Sequence, residues 1–499
     1  MNFERSSGII LQPTSLPSRF GIGDLGESAY RFIDFLEASG QKLWQILPLG
    51  PTGYEHSPYT MNFSAFAGNH LLISLDRLVE EGLLQADELT PLPDSDQDDP
   101  NIVNFNRVIP HKTQFLKLAY SRFKPSSEYE QFCQEQSAWL EDYSLFMALL
   151  EENGGKNWNQ WETGIARREP EAIKAKTESL KDSINYHNFL QFKFFEQWKA
   201  LRAYANNKNI KIIGDISIYV CYNSADVWAN PQCFKLDPQT LESTYIAGVP
   251  PDYFSATGQL WGNPVYNWDY LQKTDYEWWF KRFEATLQYA DFVRIDHFRG
   301  FEAYWQVPAG EETAINGEWV KAPGEEFFEK LGRRLGSLPV LAEDLGIITP
   351  EVEALRDQFE FPGMRILLFA FDGDTENAYL PHHYVKNCAV YIGTHDNDTA
   401  IGWWEKASDE EKRRVAEYLG YSSPEEIKEI NWVLLRLGFA SVANLAIVQL
   451  QDVLGLDNRA RMNDPSKNED NWRWRYTSSD LLTQELSQRL LKVTQLYSR

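Results

Sequence analysis

Eight short runs rich in Val, Ile and Leu recur along the 499-residue chain, and they restrict the choice of fold more than any other feature. They are Gly8–Leu11, Leu43–Leu47, Ile210–Gly214, Phe292–Ile295, Val340–Ala342, Ile366–Phe369, Ala389–Ile392 and Leu445–Leu450. Continuous apolar runs of this length fit strands covered on both faces, as in parallel sheets, and many of them are separated by helical patterns. After the first run, Ala29, Phe32, Ile33 and Leu36 share one helical face and Gly40 supplies a stop signal. Eight such units predict an α/β fold of the closed (β/α)₈ barrel type, with mainly helical insertions around the site.

The spacing between runs is uneven. The segment from 48 to 209 is far longer than a normal strand-to-helix connection, and Leu116–Phe123, Trp139–Leu150 and Ser183–Ala205 within it read as helices. The expected organisation is a barrel formed by residues 1–55 and 206–499, a helical insertion over 56–205 and a second insertion over about 216–290. The second insertion contains GVPPDYFSATGQLWGN, residues 248–263. Its Gly, Pro and aromatic content suits a loop that lies over a site, and a lid loop is expected there.

Charge narrows the partners. The chain holds 48 basic and 72 acidic residues, a net charge of −24, which repels phosphate backbones and anionic lipids. Nucleic acid and membrane partners are not expected; a neutral substrate is. Most of the 17 Trp and 24 Tyr are expected in the core, and a surplus of them is also what sugar-binding clefts use, because an aromatic face suits the apolar face of a pyranose ring. None of the four cysteines forms a C-x-x-C pair, the start lacks a signal-peptide pattern, and a cytoplasmic protein without metal or cofactor is expected.

Three segments place carboxylates at the ends of expected strands, where barrels of this type build active sites. In DFVRIDHFRGF, residues 291–301, Arg294 and Asp296 share one face of the strand. A guanidinium beside a carboxylate favours its charged form, as a nucleophile requires, although a structural ion pair would look the same. In VLAEDLG, residues 340–346, Glu343 and Asp344 point opposite ways, so one can face the cavity while the other caps a helix or pairs on the surface. In YIGTHDNDTA, residues 391–400, His395, Asp396, Asn397 and Asp398 crowd the end of a strand where the chain is already turning. A metal would need further His or Cys at ligand spacing, and none is present. Two carboxylates with a third to stabilise positive charge are the equipment for glycoside cleavage with retention.

At this point the motifs resemble a known family. GIILQPTSLPSRFGIGDLG from Gly8, RIDHFRGFEAYW, PVLAEDLGIITPEV, GTHDNDT, AGVPPDYFSATGQLWGNPVYNW and RMNDPSKNEDNWRWR at Arg461–Arg475 are similar to those of the amylomaltases. These are also called disproportionating enzymes or 4-α-glucanotransferases, of the α-amylase clan, and the resemblance runs almost end to end. It implies Asp296 as nucleophile, Glu343 as acid/base and Asp396 as transition-state stabiliser, and so selects Glu343 over Asp344. It further implies sugar contacts from Tyr59, Asp215, Tyr253, Trp261, Asn263, Arg294, Asp372, His395 and Asn463, and a second glucan site at Tyr54. The pattern departs from the family at Ser466 and Asp470, where glycine is usual.

The implied activity is transfer of α-1,4-glucan segments between malto-oligosaccharides. An α-glucan hydrolase would use the same carboxylates. A non-catalytic glucan-binding barrel would not need all three, and a metal-dependent hydrolase would lose activity in a chelator.

Overall fold

The computed structural model describes residues 3–53, 56–59, 62–93, 99–251, 255–467 and 469–499. Eight parallel strands form its centre: β1 (Ser6–Ile10), β2 (Leu43–Gln45), β3 (Lys211–Ile216), β6 (Phe292–Ile295), β9 (Val340–Ala342), β10 (Gly363–Ile366), β11 (Cys388–Tyr391) and β12 (Leu445–Gln449). They pair in the order β10-β11-β12-β1-β2-β3-β6-β9. The two ends of that sheet meet where the Ala342 N–H donates to the Pro362 carbonyl at 3.0 Å. Read from β1, the strands follow one another around the ring in chain order, which is the (β/α)₈ barrel.

Why these runs form strands is visible in their burial. β1, β2, β9, β11 and β12 are buried at every residue, as expected of strands with side chains inside the barrel on one face and helices against the other. Helix Glu27–Ala38 lays Ala29, Phe32, Ile33 and Leu36 against the barrel, and Gly40 follows in the left-handed region at φ 73°. Helices Phe105–Arg122, Ser127–Glu135, Ser137–Glu152 and Pro170–Ser179 occupy the long stretch between β2 and β3. Helix Lys181–Asn207 then delivers the chain into β3. No helix among the described residues is long and apolar enough to cross a membrane.

Two expectations about elements need correction. The sixth strand was placed at Ile366–Phe369, but β10 spans Gly363–Ile366 and Leu367–Phe369 turns as a 3₁₀ helix. The apolar run MRILLFAF continues through both, so composition alone does not mark the boundary. The strand starts early because Gly363 has no side chain: a Cβ there would lie 2.3 Å from the Asp344 carboxylate.

The stretch expected to be a lid loop begins and ends in the two strands of a β-hairpin, with 250–251 and 255–258 outside the strands. β4 (Tyr245–Val249) and β5 (Gln259–Pro264) pair antiparallel, and β4 also pairs with β7 (Ala303–Pro308), which pairs with β8 (Glu318–Lys321). The resulting sheet has the order β5-β4-β7-β8. β7 lies beyond β6 in the chain, so nothing local in residues 248–263 announces the whole sheet. Gly248 is needed at the crossing, since a Cβ there would sit 2.4 Å from the Gln259 carbonyl oxygen.

Within the barrel, Gly8 faces Leu43, and a Cβ at Gly8 would stand 2.4 Å from both the Cβ and the carbonyl oxygen of Leu43. Backbone must move to admit it. Gly8→Ala is therefore expected to destabilise the fold by about 1–3 kcal/mol, measured as a lower urea midpoint with an unchanged slope.

Candidate active site

The C-terminal ends of adjacent strands β3, β6 and β9 bring the first cluster together. Asp215 sits opposite Arg294 in the β3–β6 register. The Arg294 guanidinium donates through Nη1 to Asp215 Oδ2 at 2.6 Å and through Nη2 to Asp296 Oδ1 at 2.8 Å. Tyr59 donates its hydroxyl to the same Asp215 oxygen at 2.8 Å. Arg294 is only 3% exposed. Burial opposes its charge, but Asp215 and Asp296 outweigh burial and hold it firmly protonated. Burial pushes the Asp215 carboxyl up to about 7, against the pull of Arg294.

Glu343 is the first residue past β9. Its Oε2 accepts the backbone N–H of His297 at 2.5 Å, and its Oε1 accepts that of Leu345 at 3.1 Å. The glutamate thus reaches the residue next to Asp296. Burial, then the charge of Asp296, push its carboxyl well above the ordinary value of 4.5, while Arg294 and the His297 N–H pull the other way. The geometry suits a group that holds a proton beside a second carboxylate.

Asp344, next door, turns away from the cavity. It was expected to cap a helix or pair on the surface; it does neither. It is 5% exposed and accepts from Arg356 Nη1 at 2.5 Å and from the Met364 N–H at 2.6 Å, which joins β9 to β10. Glu343 and Asp344 therefore divide the work as their opposite facing requires, one toward the cavity and one into the wall.

His297 was not singled out from the sequence. It adopts a left-handed conformation at φ 50°, which aims its N–H at Glu343. Burial, then Arg299, lower its imidazole to about 3, so it is neutral, and Trp261 of β5 packs edge-on against it at 4.8 Å.

The second cluster lies past β11. Asn397 accepts from the N–H and hydroxyl of Thr394 at 2.8 and 2.9 Å, and this turn presents His395 and Asp396. Asn463 donates its amide to Asp396 Oδ1 at 2.6 Å, and its own N–H bonds the His395 carbonyl at 3.1 Å. Arg461 bonds the Asp396 carbonyl at 2.5 Å and Asp398 at 2.6 Å. His395 is buried; burial lowers its pKa, with Asp396 acting the other way. Tyr59 stacks on His395 at 5.0 Å and 13° and so joins the two clusters.

Of the remaining expected sugar contacts, Asn263 is 4% exposed and its amide donates to the Val220 carbonyl at 2.9 Å, which ties the hairpin to the end of β3. Asp372 stands apart in an exposed turn, accepting the Asp374 N–H at 3.0 Å. Tyr253 and Tyr54 lie outside the described residues.

The sequence profile described as 4-alpha-glucanotransferase matches residues 11–482. The chain belongs to the 4-α-glucanotransferase family. The 4-alpha-glucanotransferase of Synechocystis sp. is 55% identical, with 99% of this chain and 98% of that protein covered. That of Thermus thermophilus is 47% identical, with 96% of each covered. Among solved structures, the amylomaltase from Streptococcus agalactiae in complex with acarbose superposes with a TM-score of 0.94 at 39% identity, covering 99% of this chain and all of that one.

Against the pattern expected of a 4-α-glucanotransferase, the departure at Asp470 has a structural consequence. Asp470 takes a left-handed φ of 64°, the region glycine occupies freely and Asp tolerates better than most residues. Trp472 follows at φ 63°, an uncommon conformation for a bulky side chain. Its ring lies 5.6 Å from Tyr59 and 5.7 Å from His395. The only sequence hint of this buttress was the unusual density of Trp in NWRWR.

The buried proton gives a stability test. In the unfolded chain Glu343 ionises near 4.5, whereas in the fold it keeps its proton to a higher pH. Between those values the native state binds more protons, so the Glu343 contribution to stability falls as pH rises through the window. Glu343→Gln cannot ionise. Its urea midpoint relative to wild type should rise as pH increases above about 4.5; a difference independent of pH would assign the proton elsewhere.

Proposed function

We propose that the chain transfers α-1,4-glucan segments between malto-oligosaccharides by a retaining double displacement. The observation that carries this reading is Glu343, a half-buried carboxyl with a raised pKa, bonded to the backbone beside Asp296. Asp296 attacks the anomeric carbon while Glu343 gives its proton to the leaving glycosidic oxygen. The reducing-end fragment departs, leaving the glycosyl chain esterified to Asp296. Glu343, now a carboxylate, takes the proton of an incoming 4-hydroxyl, whose oxygen displaces Asp296 and restores both groups. Asp396, held by Asn463, is placed to bond sugar hydroxyls as charge develops on the ring. Arg294 steadies the Asp296 oxygen before and after attack. Tyr59, Trp261 and His395 supply the aromatic walls of the cleft, with residues 56–205 and about 216–290 as the insertions that shape it.

Transfer is favoured over hydrolysis by the hairpin of β4 and β5, which sets Trp261 above the residue next to Asp296 and restricts water where an acceptor sugar would sit. Feeding maltotriose decides between them. Glucose together with a ladder of longer oligosaccharides is expected; glucose and maltose with nothing longer would identify a hydrolase.

Asp296→Asn should remove turnover while leaving the fold and glucan binding in place. Activity within tenfold of wild type, about 1.4 kcal/mol of barrier, would reject Asp296 as nucleophile. The covalent step is read directly by mass spectrometry of Glu343→Gln treated with an activated glycosyl fluoride, in which the added mass should map to Asp296. Wild-type kcat/KM should fall on the alkaline side as Glu343 loses its proton.

A further inference from the structure

The exposed apolar residues are few, and three of them gather on the catalytic side of the barrel. Trp319 is 39% exposed, Ile315 51% and Ile347 46%. Trp319 lies on β8, the outermost strand of the antiparallel sheet, with one side of that strand unpaired. Opposite it in register is Trp305 of β7, whose ring meets Trp319 edge-on at 5.2 Å and 67°. The Arg299 guanidinium lies 3.7 Å from the Trp319 ring centroid and bonds the Ile347 carbonyl. A buried cation on one side and a tryptophan edge on another hold the indole in a fixed orientation.

Both anchors run to parts of the cleft. Arg299 follows β6 and Asp296, and Ile347 lies on the loop that begins with Glu343. Trp305 bonds the Ala314 carbonyl through its indole N–H at 2.9 Å, and the Ala314 N–H bonds the carbonyl of Thr257 in the hairpin turn at 3.0 Å. The platform is thus continuous with the hairpin and with the Glu343 loop, yet none of its residues joins the two polar clusters.

We propose that the Trp319 ring is an outlying binding platform for an α-glucan chain that extends beyond the cleft. This rests on the glucan-transfer reading given above. The occupant follows from the chemistry: a rigid, partly exposed indole offers apolar area to the C–H side of a pyranose. The molecule's net charge of −24 disfavours anionic polymers. A long glucan held at two places gains affinity that a short oligosaccharide cannot, because the second contact is intramolecular.

The test uses the full-length chain with Trp319→Ala and Trp319→Phe. Disproportionation of maltotriose should be unchanged in both. The KM for long amylose should rise about three- to tenfold in Trp319→Ala and much less in Trp319→Phe, with kcat preserved. In an Asp296→Asn background, calorimetry should show the same weakening for amylose and none for maltotriose. An unchanged amylose KM, with maltotriose transfer intact, overturns the platform and leaves the function standing. Equal losses on both substrates also overturn it, since the ring would then only brace the hairpin. Wild-type self-association that sediments away in Trp319→Ala would assign the patch to a second copy of the chain instead. Absence of transfer by the wild type from maltotriose would sink the function itself.

Discussion

A single buried guanidinium organises the site. Arg294 has no access to water, so its charge must be balanced within the barrel, and the balance comes from strands on either side of the same junction: Asp215 on β3 and Asp296 just past its own strand, β6. Removing Asp215 would strand that charge in low dielectric, a loss of several kcal/mol in comparable buried pairs, whereas Asp296 is partly exposed and a neutral Asn there leaves the Asp215 partner in place. The arrangement fixes Asp296 in position before any substrate arrives. It also limits the neighbourhood. Glu343 keeps its proton because burial and the charge of Asp296 outweigh the pull of Arg294 and of the His297 N–H.

That arrangement explains why adjacent acidic residues at the end of β9 behave so differently. Glu343 and Asp344 are the same chemistry one residue apart, but the strand sends them to opposite faces. Asp344 meets Arg356 and the Met364 N–H, and occupies the space that Gly363 leaves open. It fastens β9 to β10 at the place where the barrel closes. The closure and the acid/base candidate are therefore neighbours on one short segment.

The barrel strands were legible because each carries its own signal: an apolar run bounded by breakers can be read without knowing its partners. The carboxylates at their ends were legible for the same reason. What escaped was everything defined by a distant partner. The hairpin of β4 and β5 is continued into a sheet by β7, further along the chain, and its Gly and Pro residues speak for a loop when read alone. His297 is an ordinary histidine in sequence; its left-handed backbone, set by the turn from β6, is what directs its N–H to Glu343. Trp472 belongs to a C-terminal loop whose contact with Tyr59 and His395 closes a gap of several hundred residues. Choosing Glu343 over Asp344 needed the family resemblance, since alternation allows either to face inward.

The C-terminal loop also shows how the two clusters are kept in register. Asp396 and His395 come from a turn that no regular strand geometry could hold, and they are fastened by Asn463 and Arg461 from outside. Tyr59 then touches both halves, bonding Asp215 in one and stacking on His395 in the other, while Trp472 backs that stack from a strained backbone position. Strain of this kind persists only where surrounding contacts over-determine it. Here the Met462–Trp472 backbone bond and the paired rings do so. The price of a tryptophan in the left-handed region is thus offset by a rigid aromatic bridge between the cluster that carries the nucleophile candidate and the cluster that carries the third carboxylate, two groups that the proposed transfer brings to one sugar ring.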